Sequence, residues 1–495
     1  MVELAKKVLK NTLFNSSSII VRGVGGLIFS IVLARLLHPE LFGMYHLSLS
    51  VAFILLTFTD LGVNRTMVRY VSYALGKGDK TLARSFFRYL LKIKFLLAFF
   101  PSVALILLAE PLATYVFHES KLTLPLRITG VFLFFFSFLD FVSAAFESLQ
   151  EFKYVAVKQL AYEGLRLIII PLLVLLGYSV YGALAGLTIA VIFTLLILLI
   201  SLLKKHPYLF KGNVVGIDKR RILRFLGYLT FSTLIAGLFF HHIDAVMLGI
   251  LMTPKDVGYY RAAFNVVVAF MGLVSATTVL FPVFTQLEGA ELKNAFRKTF
   301  RYLSMLAFPC AFGLASIANP VIRVVYGEEY LPAILPFYVL CLIIAITPMD
   351  FFGTLFGAKE KPEYPAVVTI IASLANVILN YVFILNFGVV GAAIATVSVR
   401  YFAALSLALL SKRVLGILPD MDAVYKPLFS SLIMLAFLYF LPEPVTILDG
   451  LMKIIAAAIV YILTMFLIKG INKEDVRYFS TIFGQEKRLE KLYKW

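Results

Sequence analysis

Apolar residues in this chain come in blocks of about twenty, the length of helix that crosses a bilayer. The blocks begin at 13–37 and 43–62 and end at 426–441 and 450–468, about fourteen in all, with 426–441 the shortest. The predicted fold is an all-α polytopic membrane protein. No short apolar core followed by a small-residue cleavage site stands at the start, so a removable signal peptide is not expected.

The blocks repeat. Residues 33–51 lie without gaps over 248–266: Leu33, Pro39, Gly43, Tyr45 and Val51 match Leu248, Pro254, Gly258, Tyr260 and Val266. RSFFRYL at 84–90 matches RKTFRYL at 297–303, and Gly182-Ala183 matches Gly391-Ala392. The offsets are 215, 213 and 209. Six spans are therefore predicted to occur twice. Six is even, so both copies insert the same way up and form two lobes around a central cleft, related by an axis along the membrane normal. The expected layout is a first lobe over 1–203, a basic linker over 204–224, a second lobe over 225–411, two further spans within 412–469, and an amphipathic tail over 470–495 on the membrane surface.

Composition agrees with membrane burial: of 495 residues, 61% are hydrophobic and 15% charged, against roughly 25% charge in soluble domains. The net charge of +18 raises the question of nucleic acid. Its distribution answers with topology instead. With fourteen spans, 37 of the 46 Lys and Arg fall on the side of the N-terminus and six on the other. That predicts cytoplasmic N- and C-termini, no nucleic-acid partner, and anchoring on the anionic lipids of the cell membrane. Two cysteines in apolar runs offer no disulfide framework.

Ionisable groups at membrane depth are costly and mark candidate sites. On the first span Asn15, Ser18, Arg22 and Gly26 share one helical face. On the seventh, Thr230, Thr233, Gly237, His241 and Asp244 do the same at the repeat-equivalent positions. The two stripes are expected to line a watered cleft; the alternative is that Arg22 and Asp244 pack inside their own lobes. Arg35 and Asp60 lie near span ends, where snorkelling accounts for a charge. Asp140, Asp350 and Arg400 suit either cavity lining or contacts within a lobe, and His242 suits a satisfied core histidine. The expected substrate-binding set is Arg22, Asn15, Ser18, Arg35, His241 and Arg400. Asp244, Asp60, Asp140 and Asp350 are the candidates for ion coupling. No P-loop is present, so ATP hydrolysis by this chain is not expected; no cofactor is expected either, and coupling to Na⁺ or H⁺ is open.

VLARLLHPELFGMYHLSLSV and DLGVNRTMVRYVSYALGKGDKTLARS resemble the N-terminal signature of the polysaccharide-biosynthesis flippases. These are the Wzx-type lipid-linked oligosaccharide flippases of the multidrug/oligosaccharidyl-lipid/polysaccharide exporter superfamily. HHIDAVMLGILMTPKDVGYYRAAFNV and GVVGAAIATVSVRY resemble the same family's seventh-to-eighth and twelfth spans. The resemblance runs over essentially the whole chain. It implies movement of a polyprenyl- or dolichyl-(pyro)phosphate-linked oligosaccharide from the inner to the outer leaflet by alternating access, with no enzymatic step, by a monomer.

Two other functions compete. An ion-coupled multidrug or small-solute antiporter of the same superfamily would commonly carry a carboxylate on its first helix, whereas this chain has none between Glu3 and Glu40. A membrane-embedded glycosyltransferase or polymerase would be expected to carry a large outer loop with acidic or Arg-rich chemistry; the longest here, about 110–126, has no such cluster. Arg22 is the candidate for the lipid diphosphate, because its charge is permanent and its planar fork binds two phosphate oxygens.

Overall fold

The computed structural model describes residues 2–227, 230, 242–274, 284–442 and 447–471 and, from Gly25 on, nearly all their side chains. Every regular element among them is helical, with no strand. The elements used below are α1 Val2–Asp60, α2 Val63–Gly76, α3 Lys80–Pro111, α4 Thr123–Ser148, α5 Phe152–Leu173, α6 Ser179–Lys205, α7 Ile243–Leu251, α8 Pro254–Val274, α9 Gly289–Ser316, α10 Ile334–Ile346, α11 Glu363–Leu415, α12 Asp422–Tyr439 and α13 Ile447–Leu467.

Seven helical stretches among the described residues are long and apolar enough to cross a membrane; an eighth is Gly289–Ser316 with Ala318–Tyr326, bent by 72°. Gly25–Gly76, Phe152–Lys205 and Glu363–Leu415 run 52, 54 and 53 residues. At 1.5 Å per residue each is roughly 80 Å long, far beyond a hydrocarbon core of about 30 Å. All three are broken inside. His38 has φ 60, ψ 167; Gly177 has φ 92 and Ser179 φ 51, ψ −140; Gly388 has φ 56, ψ −133. Each stretch thus supplies two passes. The total of fourteen stays an expectation from hydropathy, since the runs at 225–251 and 258–285 lie partly outside the described residues.

The repeat is written in the backbone as well as in the sequence. A π turn follows α3 at Leu112–Val116, and another follows α9 at Ile322–Tyr326, 210 residues later. Ser179 and Gly388, 209 apart, share one uncommon conformation, φ 51, ψ −140 and φ 56, ψ −133. These spacings continue the falling series of sequence offsets.

The chain divides into two compact units. The first holds residues 1–269, 326–336 and 366–399. In it α4 packs on α3 and α6, α5 on α6, and α1 on α4 and α5. Phe87, Phe132, Phe141 and Phe146 are fully buried. Ser137, Ser143, Ala144 and Ala145, all buried on α4, let backbones approach where lipid supplies no hydrophobic drive. The predicted linker is pinned onto α3: Arg84 donates from Nε to the Tyr208 carbonyl at 2.5 Å and from Nη1 to that of Asn213 at 2.6 Å. Tyr330 donates to the Ala34 carbonyl at 3.0 Å, and His38 meets Glu329 at 2.7 Å, which ties residues 326–336 to the break in α1. The second unit holds 270–325, 337–365 and 400–495. There α9 packs on α12 and α12 on α13, around Phe284, Phe296, Phe300 and Phe352 and a smaller cluster of Met434, Leu438, Tyr461 and Met465.

Candidate functional site

Within the run at 225–251, α7 starts after His242, which has φ −130, ψ −5, and residues 231–241 lie outside the described residues. Asp244 lies in the first turn of α7, where the helix dipole favours a carboxylate.

Asp244 is buried, 5% exposed. Three neutral groups donate to it. Asn380 Nδ2 reaches Oδ1 at 2.8 Å, and Tyr260 Oη and Thr396 Oγ1 each reach Oδ2 at 3.0 Å. Asn380 also donates to Asn376, to its carbonyl at 2.9 Å and its Oδ1 at 3.1 Å. The sequence explains the convergence. Asn376 and Asn380 are one turn apart on α11 before the break at Gly388, and Thr396 follows the break. The fold at Gly388 brings both halves of α11 to the same carboxylate. Asn380 Oδ1 is buried without a hydrogen-bond partner. The site therefore combines a carboxylate, no cation in an ion pair with it among the described residues, and an uncommitted buried oxygen, which suits a small hard cation or a proton.

In the first repeat copy the position equivalent to Asp244 is Phe29, and Tyr45 replaces Tyr260. Buried charge there is already matched: Glu163 and Arg166 on α5 pair at 2.6 Å. The guanidinium lies 4.5 Å from the Phe29 ring centre. A Cβ on Gly25 or Gly26 would sit 3.6 Å from Glu163 Oε2 or Arg166 Nη2 respectively. A Cβ at either position would make only ordinary van der Waals contact with the pair. The Lys/Arg count assigns Arg166 to a cytoplasmic segment, but it lies inside a continuous helix.

A second buried cation lies on α8. Arg261 is 6% exposed and forms no ion pair among the described residues. Its Nη2 donates to Ser50 Oγ at 2.9 Å and lies 3.3 Å from His242 Nδ1; its Nε is buried without a partner. His242 stacks on Phe53 at 5.0 Å. One turn along, Asn265 donates to Ser30 at 2.8 Å. The same count places Arg261 among the outer loops, whereas the structure buries it within α8.

Gly43 and Gly258, equivalent in the repeat, meet each other. A Cβ on Gly43 would stand 1.6 Å from the Pro254 carbonyl oxygen, and one on Gly258 would stand 2.1 Å from that of Pro39. The contact is reciprocal, because Pro39 and Pro254 are themselves equivalent. Only glycine admits so close a backbone crossing.

The other predicted residues fall elsewhere. Asp60 pairs with buried Lys94 at 3.6 Å, and Asp140 with Lys158 at 2.5 Å, both in the first unit. Asp350 and Arg400 are electrostatic neighbours in the second. Arg35 is exposed. Asn15, Ser18 and Arg22 lie on α1, with side chains outside the description, and His241 lies outside the described residues. Among the described residues no cluster of three His, Cys, Asp or Glu side chains is placed to hold a metal. Sequence reasoning missed Tyr260, Asn376, Asn380, Thr396 and Arg261. It searched for ionisable groups, whereas Asn376 and Asn380, spaced i,i+4 in an apolar run, carry the signal as neutral amides.

A family model described as "Polysaccharide biosynthesis protein" matches residues 8–288. A relative from Haloferax volcanii, named as a probable low-salt glycan biosynthesis flippase, Agl15, is 28% identical over 188 residues, 36% of this chain and 39% of that protein. A Klebsiella pneumoniae protein described as an uncharacterized membrane protein in the cps region is 24% identical over 94% of this chain and 96% of its own. The solved structure of the lipid II flippase MurJ in an inward closed conformation superposes with a TM-score of 0.76 at 16% identity, over 93% of this chain and 98% of that one. This likeness shows the fold.

Proposed function

The chain belongs to the polysaccharide biosynthesis protein family, and from that we propose that it is a flippase moving a polyprenyl- or dolichyl-(pyro)phosphate-linked oligosaccharide from the inner to the outer leaflet of the cell membrane. It is a multi-pass membrane transporter rather than an enzyme. The observation that carries the substrate class is the family match together with a glycan-flippase relative. A strain lacking this chain should accumulate a lipid-linked oligosaccharide whose glycan a membrane-impermeant glycosidase cannot reach from outside. No accumulation, or accumulation on the outer face, contradicts the reading.

The diphosphate joint of such a lipid needs a permanent cation at depth. Arg22 is the candidate, with Asn15 and Ser18 beside it, and Arg261 adds a second, buried guanidinium with no ion-pair partner among the described residues. Arg35, Arg400 and His241 are the further positions for substrate contact. Arg22→Gln should abolish flipping in a protein that still inserts, and Arg22→Lys should rescue poorly; normal flipping by the Gln variant would remove Arg22 from the path. The Asp244 site is proposed to bind the coupling ion. The Asp244 carboxylate and the uncommitted Asn380 Oδ1 are hard oxygen donors of the kind that hold Na⁺. Asp60, Asp140 and Asp350 are weaker candidates, because each faces a basic neighbour. The reciprocal glycine crossing is proposed as the outer gate in its closed state. Both termini are proposed to be cytoplasmic from the Lys/Arg asymmetry. A cysteine placed at 490 should resist impermeant maleimide added outside, and ready labelling would reverse the topology.

A further inference from the structure

A cavity of about 320 Å³ opens in the first unit between α2, α4 and α5, lined chiefly by Asn64, Arg65, Val68, Asp140, Glu147 and Lys158. Its walls mix apolar surface with four ionisable side chains, so it opens to water; facing hydrocarbon, those charged groups would be left unsatisfied. It lies where α4 ends and α5 begins, the end of the helices that the basic residues assign to the cytoplasm.

Only part of its polar lining is committed. Lys158 and Asp140 hold each other at 2.5 Å. Behind them Asp60 caps the Asn64 backbone N–H at 3.1 Å and pairs with Lys94, which stiffens the wall. Arg65 is exposed and, like Glu147, makes no ion pair or side-chain hydrogen bond among the described residues. Asn64 Oδ1 is buried without a hydrogen-bond partner. The uncommitted groups are thus one guanidinium, one carboxylate and one amide oxygen.

We propose that this cavity seats a sugar ring of the glycan, and that Arg65 and Glu147 determine which glycan is accepted. The inference rests on the flippase reading above. Charge and size select the ligand class. Two cations stand against two carboxylates, so the cavity is neutral and ill-suited to a diphosphate. Four ionisable side chains make it a poor seat for a lipid tail, and it is too large for a single ion. A pyranose presents hydroxyls that both donate and accept. The Glu147 carboxylate accepts from them, and the Arg65 fork donates to them. The phosphate stays with the arginine candidates proposed above, so the ring bound here belongs to a more distal part of the glycan.

Two probes test this in proteoliposomes: the lipid-linked oligosaccharide that accumulates in the deletion strain, and the same molecule trimmed by exoglycosidases to its lipid-proximal sugar. Loss of a hydrogen bond to a charged group should slow the full-length probe about ten-fold in Glu147→Gln and in Arg65→Gln, with the trimmed probe moved at the wild-type rate. Val68→Phe, which fills the cavity without changing charge, should give the same selective loss. Equal slowing of both probes, or no slowing of either, would overturn the sugar seat and leave the flippase reading standing. Wild-type protein that moves neither probe overturns both.

Discussion

Asp244 sits among donors that offer no positive charge, and that fact decides its expected behaviour on substitution. In Asp244→Asn an amide NH₂ faces Asn380, Tyr260 or Thr396, and at least one buried donor loses its acceptor. That costs roughly 1–3 kcal/mol, so the melting temperature should fall modestly. Any stimulation of transport by a Na⁺ or proton gradient should disappear. A gradient response that survives in a folded Asn variant would make Asp244 structural. Asp244 is legible in the sequence as an acid in an apolar run, and its repeat-equivalent, Phe29, marks it as peculiar to the second copy. Its partners are not legible, because the break at Gly388 brings Asn380 and Thr396 together only in three dimensions. Arg261 is misread for a related reason: a charge in the first turns of a helix looks like a loop residue when hydropathy sets the boundary.

At the scale of elements, the breaks carry the fold. Ser179 holds φ 51, ψ −140, a conformation that strains any residue with a side chain, and its repeat partner is Gly388. Ser179→Gly should therefore stabilise the protein by about 1 kcal/mol, read as a higher melting temperature in detergent; a lower one would show that the serine side chain contributes more than the strain removes. The glycine crossing predicts the opposite sense. Gly258→Ala places a Cβ against a backbone oxygen that cannot swing aside. Overlap of this kind costs roughly 1–3 kcal/mol or more, enough to depopulate the closed outer state about ten-fold. Impermeant maleimide should then label the Ser30→Cys variant faster than it does with Gly258 intact, and unchanged labelling would contradict the gate. The helices, the repeat and the positions of most breaks can be read from apolar blocks, glycines and prolines. The start of α7 after His242 cannot, because no glycine or proline stands beside it.

The whole molecule keeps a strong charge asymmetry after correction. Setting aside the buried cations Lys94, Arg261 and Lys453 leaves 36 basic residues on one side and four on the other. The two repeat copies have diverged in their buried charge. One holds the Glu163–Arg166 ion pair, and the other holds Asp244 and Arg261, electrostatic neighbours with no ion pair between them. We read the first as scaffold and the second as the place where an ion can bias one state over another. The sequence resemblance points to a flippase through motifs around Pro39 and Pro254, and those same motifs, from Pro39 to Tyr45 and from Pro254 to Tyr260, form the reciprocal crossing and the Tyr260 contact to Asp244. The central claim is translocation of a lipid-linked glycan. It is tested most directly by reconstituting purified protein into liposomes that carry the accumulated lipid-linked oligosaccharide and following access of an impermeant glycosidase to the inner-leaflet pool. The account predicts that wild-type protein brings this protected pool within reach of the enzyme, while liposomes without protein keep it protected; a pool equally protected in both would contradict it.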